Sequence, residues 1–202
     1  MPLLPPTTRD NLVSAAMRLF YEQGYANTGI ATILREAGVN SGSLYHFFPG
    51  KEALLAAVLE KYRELLHPIV LAPQEQKESD PIERVFTLMH WYRDNMKATL
   101  CRMGCPIGNL ALEVSDHSPD LRPLIHANFD GWTDGVKKWL DDASDRLPAD
   151  VDRKELAQMV LNTMEGGIMQ ARSRADIAPF DAAIRQLRNY FNLLLEKRRR
   201  PS

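Results

Sequence analysis

Two groups of residues in this chain carry side chains able to do chemistry. Asn40, Ser41, Gly42 and Ser43 run together and are followed at once by Tyr45 and His46. Amide, hydroxyl, phenol and imidazole groups at this spacing can bond phosphates or base edges, and the small residues let the backbone approach closely. The second group centres on Cys105, which stands between Gly104 and Pro106 with Arg102 nearby. A thiol just before a helix start and near a cation gains thiolate character. A free cysteine serves equally as a small buried hydrophobe, and both roles stay open. Cys101 lies four residues earlier, but the irregular Gly104 and Pro106 backbone and a reducing cell argue against a disulfide. His90, His117 and His126 are too scattered for a metal site. No His or Asp stands at readable spacing from Cys105 and no Gly-rich phosphate loop exists, so neither an enzyme nor a cofactor is expected.

The elements that must position these groups read as helices. Leu12, Ala15, Ala16, Leu19 and Phe20 recur at helical period, with Thr7 or Thr8 as a start and Gly24 as a stop. Thr28 is expected to cap a second helix, with Ile30, Ile33, Leu34 and Ala37 inward and Gly38 ending it. Asn40 caps a short third helix with Leu44, Phe47 and Phe48 inward, and Pro49-Gly50 breaks it. A long helix is expected from Lys51 to about His67, then a polar loop from Leu71 to Pro81. Further helices are predicted from Pro81 to about Thr99, Pro106 to about Val114, Ser118 to about Arg146, Arg153 to Ala175 and Phe180 to Arg198. No stretch demands a strand. The expected fold is all-α, about nine helices, with a helix-turn-helix domain over residues 1–50 and a helical ligand-binding and dimerisation domain over 51–202.

The chain has 202 residues, 45% hydrophobic and 25% charged, with a net charge of −1. No run of about 18 apolar residues predicts a membrane span. The start "MPLLPPTTRDN" lacks the basic region of an export signal, so a cytoplasmic location is expected.

Three helices in about 40 residues, the third short, resemble a helix-turn-helix unit, and such a unit lays its second helix in the DNA major groove. Seven residues span about 10 Å, close to the groove width of about 12 Å. "AAMRLFYEQGYANTGIATILREAGVNSGSLYHFFPGKEALLAAVL" resembles the DNA-binding region of the TetR (tetracycline repressor) family over about 50 residues, Asn11 to Lys61. The resemblance implies a homodimeric repressor of a palindromic double-stranded operator, controlled by a small-molecule effector. The DNA-contacting set is then Thr28, Gly29, Asn40, Ser41, Gly42, Ser43, Tyr45, His46 and Lys51. Backbone amides near Thr28, Asn40 and Lys51 would meet phosphates at helix N-termini. Within residues 1–51, Arg9, Arg18, Arg35 and Lys51 stand against Asp10, Glu22 and Glu36, an excess of one positive charge. A modest salt slope is therefore expected.

"RMGCPIGNLALEVSDHSPDLR" and "MEGGIMQAR" resemble a sub-branch of that family that includes the N-ethylmaleimide-reductase and acrylate-responsive repressors. That resemblance makes Cys105 a candidate effector or electrophile sensor. Arg172 stands where the electrophile-sensing relative has a lysine, which argues against its covalent chemistry. An adaptable apolar pocket is the other expectation, lined from Phe86, Met89, Trp132 and their neighbours, with His90, Arg93, Asn109, Glu165 or Arg172 orienting a polar group. The same stripes serve as plain core. Gly166 and Gly167 inside a helix cost about 1 kcal/mol each relative to alanine, which close approach of another helix would offset. With Ile184, Leu187 and Phe191 they are the expected dimer surface, as a four-helix bundle across a two-fold axis. The alternative is that these helices cover their own domain. A helical protein-interaction module without DNA binding is the remaining rival, and it leaves the face of Ser41, Tyr45 and His46 without a purpose.

Overall fold

The computed structural model describes residues 7–143 and 145–199. Among the described residues ten α-helices follow in order: α1 Thr8–Gln23, α2 Ile30–Ala37, α3 Ser41–Phe47, α4 Lys51–Leu65, α5 Ala72–Lys77, α6 Pro81–Ala98, α7 Pro106–Val114, α8 Arg122–Asp142, α9 Arg153–Arg174 and α10 Ala178–Arg199. The described residues contain no strand, so the fold is all-α as expected.

The chain divides into two compact units that are not sequential. The first runs up to Glu64 and takes in Pro106–Asn128; the second holds Leu65–Cys105 and the residues from Phe129 on. The expected boundary at residue 50 does not describe this division, because α7 and the start of α8 group with the N-terminal helices.

In the first unit, α1 opens with a reciprocal cap. The Thr7 hydroxyl accepts from the Asp10 amide, and the Asp10 carboxylate accepts from the Thr7 amide at 3.0 Å. Leu12, Ala16, Leu19 and Phe20 then bury one stripe of α1, which packs on α2 and α3. Burial of each leucine or phenylalanine contributes about 1.5–3 kcal/mol. Leu54, Leu55, Val58 and Leu59 bury one face of α4. Asn128 of α8 is buried and donates to the Leu59 carbonyl at 3.1 Å.

In the second unit, α6, α9 and α10 pack on one another around Phe86, Met89, Val160, Met164 and Phe191, with Trp132 and Trp139 from α8 in the same core. Residues 71–81 are not the predicted loop. After α4 the chain winds as a π-helix over Leu66–Leu71, with the Ala72 amide bonding back to the His67 carbonyl, and continues as α5. Pro68 has no amide to give, and the wider turn absorbs the missing donor. The only break left is Glu78 to Asp80, where Asp80 caps α6 through the amides of Ile82 and Glu83.

Candidate nucleic-acid interface and effector region

The short α3 is held from behind by Leu44, which is fully buried, and by Phe48, 4% exposed. Phe48 is not part of the helix; its extended backbone turns the ring inward after α3 ends. Arg9 places its guanidinium 5.3 Å from the centre of that ring. Phe47 corrects an expectation. It is 39% exposed and stacks edge-on against His46 at 4.8 Å. A seven-residue helix presents too narrow an inward face for both Leu44 and Phe47 once Phe48 has taken the space.

The outward face of α3 carries Ser41, Gly42, Tyr45 and His46, all exposed, with Tyr45 at 61%. Asn40 caps the helix: its side-chain oxygen accepts from the Ser43 amide at 3.0 Å and from the Ser43 hydroxyl at 3.1 Å. That bond orients Ser43 toward the cap. A Cβ on Gly42 would meet only the Asn40 side-chain oxygen, at 3.4 Å.

At the start of α2 the capping residue is Gly29, not Thr28, and no side chain caps the helix. The first amides of α2 therefore have no intrahelical acceptor. Thr28 is fully buried, and its hydroxyl donates to the Gly24 carbonyl at 2.6 Å and the Leu19 carbonyl at 3.3 Å. Its amide bonds the Tyr25 carbonyl. Thr28 thus closes the α1–α2 turn and is not a surface group. Gly29 is exposed, has ordinary backbone angles and has nothing within 4 Å of an added Cβ. Lys51 lies with its ammonium 4.2 Å from the centre of the Tyr25 ring, and partial burial lowers its pKa. Arg18 is engaged by Glu22 at 2.9 Å and by Glu36, so it adds little to the positive face.

Glu113 of α7 was not singled out from the sequence. Its two carboxylate oxygens accept the amides of Tyr25 at 2.9 Å and Ala26 at 2.5 Å. No local signal reveals it, because the partners lie 88 and 87 residues earlier.

The expected effector residues separate. Cys105 and Glu165 come together, the thiol hydrogen-bonding the carboxyl. Burial raises the Glu165 pKa, and the bond from Cys105 opposes that rise. Its Oε1 is buried and has no hydrogen-bond partner among the described residues. The thiol therefore meets an acid, and Arg102 is exposed. Phe86, Met89 and Trp132 are core. Phe86 lies under the Arg188 guanidinium, 3.3 Å away, and edge-on to Phe191. The Trp132 indole donates to the Tyr92 hydroxyl at 3.2 Å. Arg93 is committed to Asp181 at 2.5 and 3.3 Å. His90 and Arg172 are exposed, and Asn109 belongs to the first unit.

Most of the expected dimer residues face inward within the chain. Ile184, Leu187 and Phe191 are buried within the single chain, and Gly167 packs against Phe180 of the same chain. The large apolar side chains left exposed on α9 and α10 among the described residues are Met169, Tyr190 and Leu193.

A short helix anchored from behind, with a small polar face outward and two more helices bracing it, is a helix-turn-helix reading head. Residues 12–58 match the model of bacterial regulatory proteins of the tetR family, and residues 81–186 match that of the LmrA/YxaF-like C-terminal domain of transcriptional regulators. The chain belongs to the TetR family of transcriptional regulators. It is 32% identical to an uncharacterised HTH-type regulator of Mycobacterium tuberculosis over 198 residues, covering 95% of this chain and 98% of the relative. It is 31% identical to the regulator LmrA of Bacillus subtilis, covering 85% and 90%. The solved structure of reduced NemR of Escherichia coli shares the fold, with a TM-score of 0.80 at 23% identity over 91% of this chain and 96% of that one. The chain is a DNA-binding regulator and not an enzyme. No helix among the described residues is long and apolar enough to cross a membrane.

Proposed function

We propose that this protein is a cytoplasmic homodimeric repressor that binds a palindromic operator and is released by a small-molecule effector. The observation that carries the operator reading is the exposed face of Ser41, Gly42, Tyr45 and His46 in front of a buried Leu44. Gly29 and Gly42 support it, since neither is required by crowding or backbone angle within the chain. A duplex backbone passing close to both would require them small. The dimer reading is supported by Gly166, which has nothing within 4 Å of an added Cβ and lies one turn before the exposed Met169. A partner helix crossing there accounts for a glycine that its own chain does not need.

The effector reading rests on the buried, unpartnered Oε1 of Glu165 beside Cys105. A buried acceptor without a donor is costly, so the effector supplies an N–H or O–H donor. A covalent thiol sensor at Cys105 has less support, because the thiol bonds an acid and not a base.

The test is selection of a 30-base-pair duplex from a random library by the purified protein. A two-fold symmetric product bound by two chains is expected, with Tyr45→Ala binding it at least about tenfold more weakly. Affinity of Tyr45→Ala within twofold of the parent removes Tyr45 from the reading face. A monomer by light scattering at micromolar concentration removes the dimer.

A further inference from the structure

We infer that Glu113 is a positioning residue for DNA binding: its carboxylate clamps the α1–α2 turn and so fixes the reading head. The turn from Gly24 to Gly29 joins α1 to α2, and everything that aims α2 and α3 passes through it. Two successive amides there, Tyr25 and Ala26, point at one carboxylate and use both of its oxygens. Successive backbone N–H groups form a concave anion site, and bonds to an ionised acceptor are about twice as strong as neutral ones.

The rest of the turn is built around this clamp. Gly24 holds φ at +85°, and a Cβ there would stand 3.3 Å from both Glu113 oxygens. The Thr28 hydroxyl ties the far side of the turn to the end of α1. The Tyr25 ring is held between Phe20, edge-on at 5.2 Å, and the Lys51 ammonium. Three helices thus meet one short turn: α1 through Phe20, α4 through Lys51 and α7 through Glu113. The residue at the end of that turn is Gly29, whose uncapped helix start is the proposed phosphate contact.

Glu113 lies on α7, outside the three helices that read DNA, and acts through the turn without touching DNA. Its loss should lower affinity by disordering the head before binding, with no phosphate contact removed. That distinguishes it from a cation on the duplex, whose loss reduces the salt slope by about one.

The experiment uses the duplex that the parent selects and the variants Glu113→Ala and Glu113→Gln. The amides of Tyr25 and Ala26 should exchange with solvent faster in both variants. Glu113→Ala should bind at least about tenfold more weakly with an unchanged salt slope, and Glu113→Gln, which keeps one acceptor oxygen, should lie between it and the parent. Faster exchange with affinity within twofold of the parent overturns the positioning role. So does an unchanged exchange rate, or a loss that shows only as a smaller active fraction at the parent's affinity. If Glu113→Ala does not fold, Glu113→Gln decides by the same criteria. The inference rests on DNA binding by the chain; a parent that selects no duplex is the failure of the operator reading and overturns the positioning role with it, whereas a parent that binds while Glu113→Ala binds within twofold of it overturns the positioning role alone.

Discussion

The backbone of Gly167 meets the ring of Phe180 so closely that an added Cβ would lie 2.5 Å from Cδ2. This contact joins α9 to α10 inside one chain and accounts for a glycine in a helix interior. Gly167→Ala must push a fully buried ring and should cost about 1–3 kcal/mol, read as a fall in the thermal midpoint. Its neighbour should behave oppositely. Gly166→Ala gains about 0.5–1 kcal/mol of helix propensity and should weaken self-association, measured by light scattering across a dilution series. Unchanged association in Gly166→Ala counts against a partner helix at that position.

Gly42 offers the same contrast on the DNA side. Alanine there meets only an ordinary contact with Asn40 and should raise stability by about 0.5–1 kcal/mol. The added methyl stands on the exposed face of α3, so affinity for the selected duplex should fall by about tenfold, near 1.4 kcal/mol. A variant that is more stable and binds equally well would move the groove contact away from the α3 backbone.

Arg93→Ala breaks the pair with Asp181 that ties α6 to α10. Both side chains are about one-quarter exposed, so a loss of about 1 kcal/mol is expected after allowing for solvent screening. The Asp181 pKa lies below its ordinary value of 3.8, chiefly through the Arg93 hydrogen bond. The contribution is present above that ordinary value and disappears as pH falls through the lower folded value. Denaturant titrations of parent and variant should therefore converge in acid and differ at neutral pH.

The helices with clean apolar period were legible in the residues. Leu12 through Phe20, the Asn40 and Asp80 caps and the Pro106 start all stand where their chemistry puts them. The run Leu71 to Pro81 misled because its polar and proline content reads as loop, whereas Pro68 is accommodated in a π-turn and Pro73 falls in the first turn of α5. Thr28 has the chemistry of a cap, yet the turn spends its hydroxyl on Gly24 and Leu19. Phe47 stands three residues after Leu44 at helical spacing, yet Phe48 fills the inward space after α3 ends and Phe47 stays 39% exposed. Of the effector set, Cys105 and Glu165 are joined by a hydrogen bond and Phe86, Met89 and Trp132 share one core; the Arg93 and Phe86 partners, Asp181 and Arg188, come from a helix about 90 to 100 residues on. Such pairings have no local periodicity to announce them.

Glu165 should impose a pH dependence opposite to that of Asp181. Burial holds its carboxyl pKa above the ordinary 4.5, so the folded chain keeps a proton that the unfolded chain releases. Below 4.5 both states are protonated and Glu165 carries no ionisation penalty. As pH rises above that value the unfolded state ionises first and stability falls, until the folded carboxyl ionises too and the loss levels off. Glu165→Gln removes this term while keeping the side-chain shape. The stability of Glu165→Gln relative to the parent should therefore increase as pH rises from about 4.5 toward neutral. Denaturant titrations across that range measure it, and a flat difference would show that the folded carboxyl ionises normally. The same variant bears on the effector. A ligand that donates to Oε1 should lose affinity in Glu165→Gln and, in the parent, should release protons on binding if it favours the ionised carboxylate. Calorimetry in two buffers of different ionisation enthalpy detects that release, and its absence together with unchanged affinity would remove Glu165 from the effector site.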